Sequence, residues 1–177
     1  MKKETTIKEV KPADFKEAAK VIRAAFAPVA EEFGITGKND SRHASFMTVE
    51  RLEEMRGEGC VMFGLFEEAK IHGFIAVRHM ENDIYYLERL AVSPETGGKG
   101  HGRALVEHGI RFVKESGGKR ISIGMINESR ELKEWYKRMG FREAEIKTIA
   151  DLPFRVCMME MNLWHCRKTN NNREPEM

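Results

Sequence analysis

The run Gly97-Gly98-Lys99-Gly100-His101-Gly102 places four glycines in six residues of a chain that has 15 glycines in 177. It falls between an apolar run ending at Val92 and an amphipathic run beginning near Arg103. Glycine loses more conformational freedom on folding than any other residue. A cluster of it suits a backbone that must curl and leave its N–H groups facing a ligand. At the start of a helix those N–H groups and the helix dipole favour an anion, and Lys99 and Arg103 add positive charge at the same place. The chemistry that wants this arrangement is phosphate or pyrophosphate binding. The plainer reading is a flexible strand-to-helix connection. Two other phosphate motifs fail. The pattern G-x-x-x-x-G-K-[ST] is absent, since the Gly-Lys pair at 98–99 is followed by Gly100. The pattern G-x-G-x-x-G, begun at Gly98, meets Arg103 at its last position, and the run does not close a first βαβ unit.

Other residues stand out by type. Ile84–Val92 reads as a strand with mostly apolar positions, as in a sheet covered on both faces. Alternation would put Tyr86, Glu88, Leu90 and Val92 on one face. A carboxylate there is costly to bury unless it is paired or lies in a wet cleft. An ion pair with an Arg or Lys of a neighbouring element is therefore one reading of Glu88, with Arg89 an unlikely partner because it would face the other way. Tyr136 lies on an apolar stripe with Leu132, Trp135 and Met139, where a tyrosine is usually a core residue. Asn127 and Ser129 sit where a strand gives way to a helix, and either suits an N-cap. Glu31, Glu32 and His43 lie in or near a Gly-, Ser-, Asn- and Asp-rich loop at 34–46. The six histidines (His43, His72, His79, His101, His108 and His165) have no spacing suited to metal ligation, so no metal is expected.

These residues need a scaffold. Strands are predicted at 5–10, 60–66, 71–79, 84–92, 120–126, 141–149 and 154–163. Helices are predicted from Asp14, over 48–56, from near Arg103 to the Gly117-Gly118 stop, and around 132–139. The first part holds two helices and a strand meander; strands bridged by helices then suggest a parallel pairing near the middle of the sheet. The fold class is α/β (mixed α+β), with a central mixed, mostly antiparallel sheet of about six to seven strands flanked by about four helices. Residues 1–164 form one domain, and the polar stretch 165–177 is expected to be a disordered tail.

The 30 Lys+Arg against 28 Asp+Glu leave a formal net charge of +2. That balance argues against a polyanion binder, so no nucleic-acid partner is expected. No apolar run is long enough to span a membrane, and MKKETTIKEV has no apolar signal core. Cys60, Cys157 and Cys166 are odd in number and scattered, which fits reduced thiols and a cytoplasmic protein.

The segment Tyr86–Pro94 followed by Gly97–Gly102 resembles the pyrophosphate-binding motif of the GNAT superfamily of acyl-CoA-dependent N-acetyltransferases. Trp135-Tyr136-Lys137-Arg138-Met139-Gly140-Phe141 resembles that family's Y-x-x-x-G-F segment, in matching order and spacing. The family loop is [Q/R]-x-x-G-x-[G/A]; Gly100 and Gly102 match its last fixed positions, and Gly97 stands where Gln or Arg is usual. The resemblance implies acetyl-CoA as cosubstrate, held by Gly97, Gly98, Lys99, Gly100, His101, Gly102 and Arg103. It implies that the backbone of Leu90, Ala91 and Val92 bonds the acetyl carbonyl and the pantetheine arm. Tyr136 would protonate the leaving thiolate. Glu88 would be the base, as in relatives acting on small amines. Seven residues before the tyrosine the family often has a cofactor-contacting Asn. Ser129 stands there, with Asn127 close enough to substitute. The implied activity is transfer of an acetyl group to a primary amine, on a small molecule or a peptide, by direct attack in a ternary complex. A homodimer is compatible with this reading. The rival is a non-catalytic acyl-CoA sensor of the same fold.

Overall fold

A computed structural model describes residues 4–163. The whole of the expected tail, 165–177, and Cys166 with it, lies outside the described residues. Seven strands run β1 (Thr5–Glu9), β2 (Val61–Glu67), β3 (Lys70–His79), β4 (Ile84–Val92), β5 (Arg120–Ile126), β6 (Arg142–Thr148) and β7 (Arg155–Asn162). Four α-helices are α1 (Phe15–Glu32), α2 (Val49–Gly57), α3 (His101–Glu115) and α4 (Arg130–Arg138). The strands form one sheet in the order β1-β2-β3-β4-β5-β7-β6. Every neighbouring pair is antiparallel except β4 with β5. This is the mixed, mostly antiparallel sheet with four helices that the sequence predicts.

Each face of the sheet carries its own core. On one, Phe15, Ala18 and Ile22 of α1 recur at helical spacing and pack with Leu52 and Met55 of α2, and with Phe74, Ala76 and Ala91 of the sheet. On the other, Leu105, Val106 and Val113 of α3 join Tyr136 of α4 against Ile75, Val77, Leu87 and Ile121. His108 of α3 meets Phe63 of β2 edge-on, with the ring centroids 4.5 Å apart.

The chain leaves α3 through Gly117 and Gly118. A Cβ at Gly118 would lie 2.8 Å from Tyr85 Cδ2 and would also overlap the Val113 side chain. Gly118→Ala is therefore expected to lower stability by about 1–3 kcal/mol, the usual cost of overpacking. The urea midpoint would read that loss.

The feature that matters for function lies at mid-sheet. The register pairs of β4 and β5 are Ile84↔Arg120, Tyr85↔Ile121 and Tyr86↔Ser122. Both strands continue beyond these pairs, β4 to Val92 and β5 to Ile126. The sheet thus opens into a wedge at the C-terminal ends of its two parallel strands, the end where α/β sheets commonly place their ligands.

Candidate active site

β4 forms one wall of the wedge. Its other edge stays paired with β3 through Phe74↔Ala91 and Gly73↔Val92. The edge of Leu90–Val92 that faces β5 lies past the last β4–β5 pair, so its backbone groups are available to a ligand.

Within β4 the expected alternation fails. Arg89 has φ +56°, and the register steps from Ala76↔Glu88 to Phe74↔Ala91, three residues of β4 against two of β3. This is a bulge. Ahead of it Tyr85 and Leu87 belong to the α3/α4 core; past it Leu90 and Val92 join that same core while Ala91 faces α1. Tyr86, Glu88, Leu90 and Val92 therefore do not share a face. Arg89 does not turn away from Glu88 either: its guanidinium lies on the α1 side, where Nη2 donates to the Arg42 carbonyl at 3.1 Å.

Glu88 is ion-paired with a neighbouring strand. Arg78 Nε lies 3.2 Å from Glu88 Oε1, and Arg78 Nη2 donates to Oε2 at 3.4 Å. The two residues are diagonal neighbours, since Arg78 opposes Tyr86 and Ala76 opposes Glu88. Arg78 also meets Glu58 at 3.1 Å. The Glu88 side chain remains 24% exposed, and a carboxylate offers about four lone-pair sites, so it can still accept from a further donor.

The glycine run follows β4. Gly98 and Gly100 have φ +77° and +79°, the left-handed region where only glycine sits without strain. Open space surrounds the position of a Cβ at both. Gly97 has an ordinary φ of −57°. Gly100 is the N-cap of α3, which starts at His101, two residues earlier than the sequence predicts. His101 and Gly102 thus belong to the helix rather than to a loop. Gly100 brings no capping side chain, so the leading N–H groups of this 15-residue helix have no side-chain cap. N–H groups left free at a helix start suit an anion. Arg103 donates to Glu107 at 3.0 Å along the exposed helix flank. His101 is partly buried and its Nδ1 has no partner. Burial first, and then Lys99, hold its pKa below the usual histidine value. Nearby, the buried His72 pairs with Glu67 at 3.2 Å, and its carbonyl accepts from Ser93 N–H at 2.8 Å, which fixes the start of the loop.

On the α3/α4 face, α4 brings two aromatic residues to the wedge. A Cβ on Gly102 would lie 3.6 Å from Val92 and 3.7 Å from Trp135, so the end of β4, the start of α3 and α4 converge there. Tyr136, next to Trp135, is 5% exposed and packs edge-on against Trp135 and Phe141 at 4.9 and 5.7 Å. Its hydroxyl has no hydrogen-bond partner among the described residues. Burial pushes its pKa well above the ordinary phenol value, so the group stays protonated.

Ser129 occupies the N-cap of α4 without a side-chain cap bond. Asn127 Oδ1 accepts from Lys133 Nζ at 2.6 Å. The structure thus brings Leu90–Val92, the glycine run and the α4 aromatics to one place, with Glu88 on the opposite face. Arg89, Arg78, Trp135 and His72 are the nearby residues that sequence reasoning did not single out. Among the described residues no group of three or more His, Cys, Asp or Glu side chains could hold a metal, and no helix is long and apolar enough to cross a membrane.

The far face is walled by the segment between α1 and α2. Its His43 is buried and bonded to Ser45, and Asn39 ties the segment to itself through Thr36 N–H and the Gly34 carbonyl. Phe33, at the end of α1, meets Phe154 of the β6–β7 turn edge-on at 6.4 Å. An open cavity of about 590 Å³ lies at the β3–β4 hairpin, the other end of β4.

A mixed sheet split at its one parallel pair, with an uncapped helix start behind the split, defines an α/β protein with an open cleft at mid-sheet. The comparisons narrow that class. A family model described as an acetyltransferase (GNAT) domain matches residues 27–163, and the chain belongs to that family. The ribosomal-protein-S18-alanine N-acetyltransferase of Escherichia coli shares the fold, with a TM-score of 0.72 at 20% identity over 98% of this chain and 100% of that one. PaiA N-acetyltransferase of Thermoplasma acidophilum, solved with coenzyme A, has a TM-score of 0.68 at 18% identity over 90% of this chain and 99% of that one. A curated relative, an uncharacterized N-acetyltransferase of Methanocaldococcus jannaschii, is 29% identical over 66 residues, 37% of this chain and 29% of the relative's own length.

Proposed function

We propose that the protein transfers an acetyl group from acetyl-CoA to a primary amine, with both substrates bound together. The observation that carries this is the wedge: it has an anion site behind it, a protonated phenol on one face and a carboxylate on the other. The N–H groups at the start of α3 and the bend at Gly98–Gly100 hold the pyrophosphate, with Lys99, His101 and Arg103 close by. The exposed edge of Leu90–Val92 receives the pantetheine arm and donates to the thioester carbonyl, stabilising the charge that develops on its oxygen. The amine enters from the α1 face. Its nitrogen forms a bond to the carbonyl carbon, the carbon–sulfur bond breaks, and Tyr136 on the opposite face gives its proton to the departing sulfur. Glu88 takes a proton from the amine, directly or through water. Asn127 and Ser129, at the far side of the wedge, line the arm. The buried free thiols Cys60 and Cys157 suit a protein of the cytoplasm.

Glu88→Gln tests the proton transfer. With Glu88 as base, kcat/KM at neutral pH is expected to fall by about a hundredfold. The deficit should shrink as pH rises, because more of the amine is then already deprotonated. The ion pair with Arg78 supports a second reading, in which Glu88 only ties β4 to β3. In that case the variant would melt earlier and keep its rate, with no change in the pH profile.

A further inference from the structure

Arg89 has chemistry that the transfer reaction above does not use. It is not a glycine, yet it sits at φ +56°, a conformation that bulky side chains rarely adopt and that clusters at functional sites. The residue is partly buried, and desolvation is the largest influence on its guanidinium. Of its five N–H donors, Nη2 serves the Arg42 carbonyl, while Nε is buried with no partner. The Nε atoms of Arg51 and Arg78 likewise lack a hydrogen bond, but those two guanidinium groups have carboxylate partners. Arg78 pairs with both Glu88 and Glu58, and Arg51 with Glu54 and Glu58. Among the described residues no carboxylate lies within 4 Å of Arg89; Asp40 and Glu88 attract it from further away. A charge drawn partly out of water is normally paired, so this one is short of an anion.

We propose that Arg89 is the acceptor's anion subsite, and that the amine acetylated here carries a carboxylate close to its nitrogen, as an amino acid does. This rests on the acetyl-transfer reading. The guanidinium fork is planar, permanently charged and matched to the two oxygens of a carboxylate. Residues next to each other on a strand normally face opposite ways. The bulge instead sets Arg89 beside Glu88 on the α1 face, one residue before the segment that holds the thioester. An ammonium group at Glu88 and a carboxylate at Arg89 are complementary to an α-amino acid. A latch on the α1–α2 segment would use only the bond to Arg42 and leaves the remaining donors unexplained.

The test compares matched acceptors at saturating acetyl-CoA, following thiol release. Amino acids are paired with their carboxamides, and short peptides with Asp at the second position are paired with their Asn versions. The first set reports an α-carboxylate, the second an acidic side chain. In one set the acid should exceed its amide at least tenfold in kcat/KM. Arg89→Gln and Arg89→Lys should bring that ratio toward one, chiefly through the KM of the acid, with acetyl-CoA affinity retained. Equal rates in both sets, or a ratio that both variants preserve, would overturn the proposal. Calorimetry of N-acetyl amino acids against the CoA-loaded protein supplies a readout independent of turnover. Binding that Arg89→Gln removes, without turnover of any amine, would keep the subsite and sink acetyl transfer. No such binding and no acid preference would sink the subsite. Melting curves check folding; if the Gln variant unfolds, the Lys variant, which keeps the charge but loses the fork, decides.

Discussion

Replacing Tyr136 by Phe is expected to lower kcat by at least about a hundredfold, the scale of a lost general acid, while acetyl-CoA still binds. The phenol is 5% exposed, its ring is held between Trp135 and Phe141, and its hydroxyl has no protein partner among the described residues. Phe keeps the ring and its packing, so stability should change little. The raised pKa gives the sign: the group is neutral across the working range and can donate a proton, but it cannot act as a phenolate base. The loss should therefore be greatest for acyl donors with poor thiolate leaving groups and smaller for an activated thioester. Stopped-flow measurement of thiol release, beside calorimetry for the cofactor, separates an enzyme from an acyl-CoA sensor. A sensor would bind the nucleotide alike in both forms and release no thiol in either.

Gly100→Val addresses the other half of the site. At φ +79° a β-branched side chain costs roughly 1–2 kcal/mol in backbone strain. The helix start can relieve that strain only by turning its leading N–H groups. Acetyl-CoA affinity is expected to fall about tenfold or more, since 1.4 kcal/mol is a factor of ten. Gly97→Val is the control. Its φ of −57° is open to any residue, and an added Cβ would make only an ordinary contact, 3.7 Å from the Pro94 carbonyl. Dissociation constants for the two variants, measured by calorimetry, should differ. Equal losses would mean that the strained backbone is not what grips the ligand.

Much of this was legible in the sequence because it rests on local rules. The glycine run, the α3 and α4 stripes and the meander follow from spacing and turn chemistry, and their elements lie where periodicity puts them. The start of α3 was displaced by two residues because Gly100 caps the helix through its backbone conformation, which leaves no side-chain signature. The bulge was hidden for a different reason. A left-handed residue is usually announced by Gly or Asn, and here it is Arg89, so strict alternation assigned Leu90 and Val92 to the wrong face. Glu88 drew attention through the cost of burying a charge, but its partner Arg78 could not be named without the β3–β4 register. Trp135 looked like core because its stripe is apolar; its approach to Gly102 depends on how α3 and α4 pack, a long-range contact.

The three β4–β5 register pairs have a mechanical consequence. Among the described residues they join the β1–β4 half of the sheet to the β5–β7 half, together with the adjoining bond from Lys119 N–H to the Asp83 carbonyl at 2.9 Å, and all of these lie at one end. Toward the free end Phe33 and Phe154 meet edge-on. A molecule lodged in the gap and bonded to the bare edge of β4 would act as a surrogate strand. Filling the site would then also suture the protein, tying the rigidity of the whole sheet to occupancy.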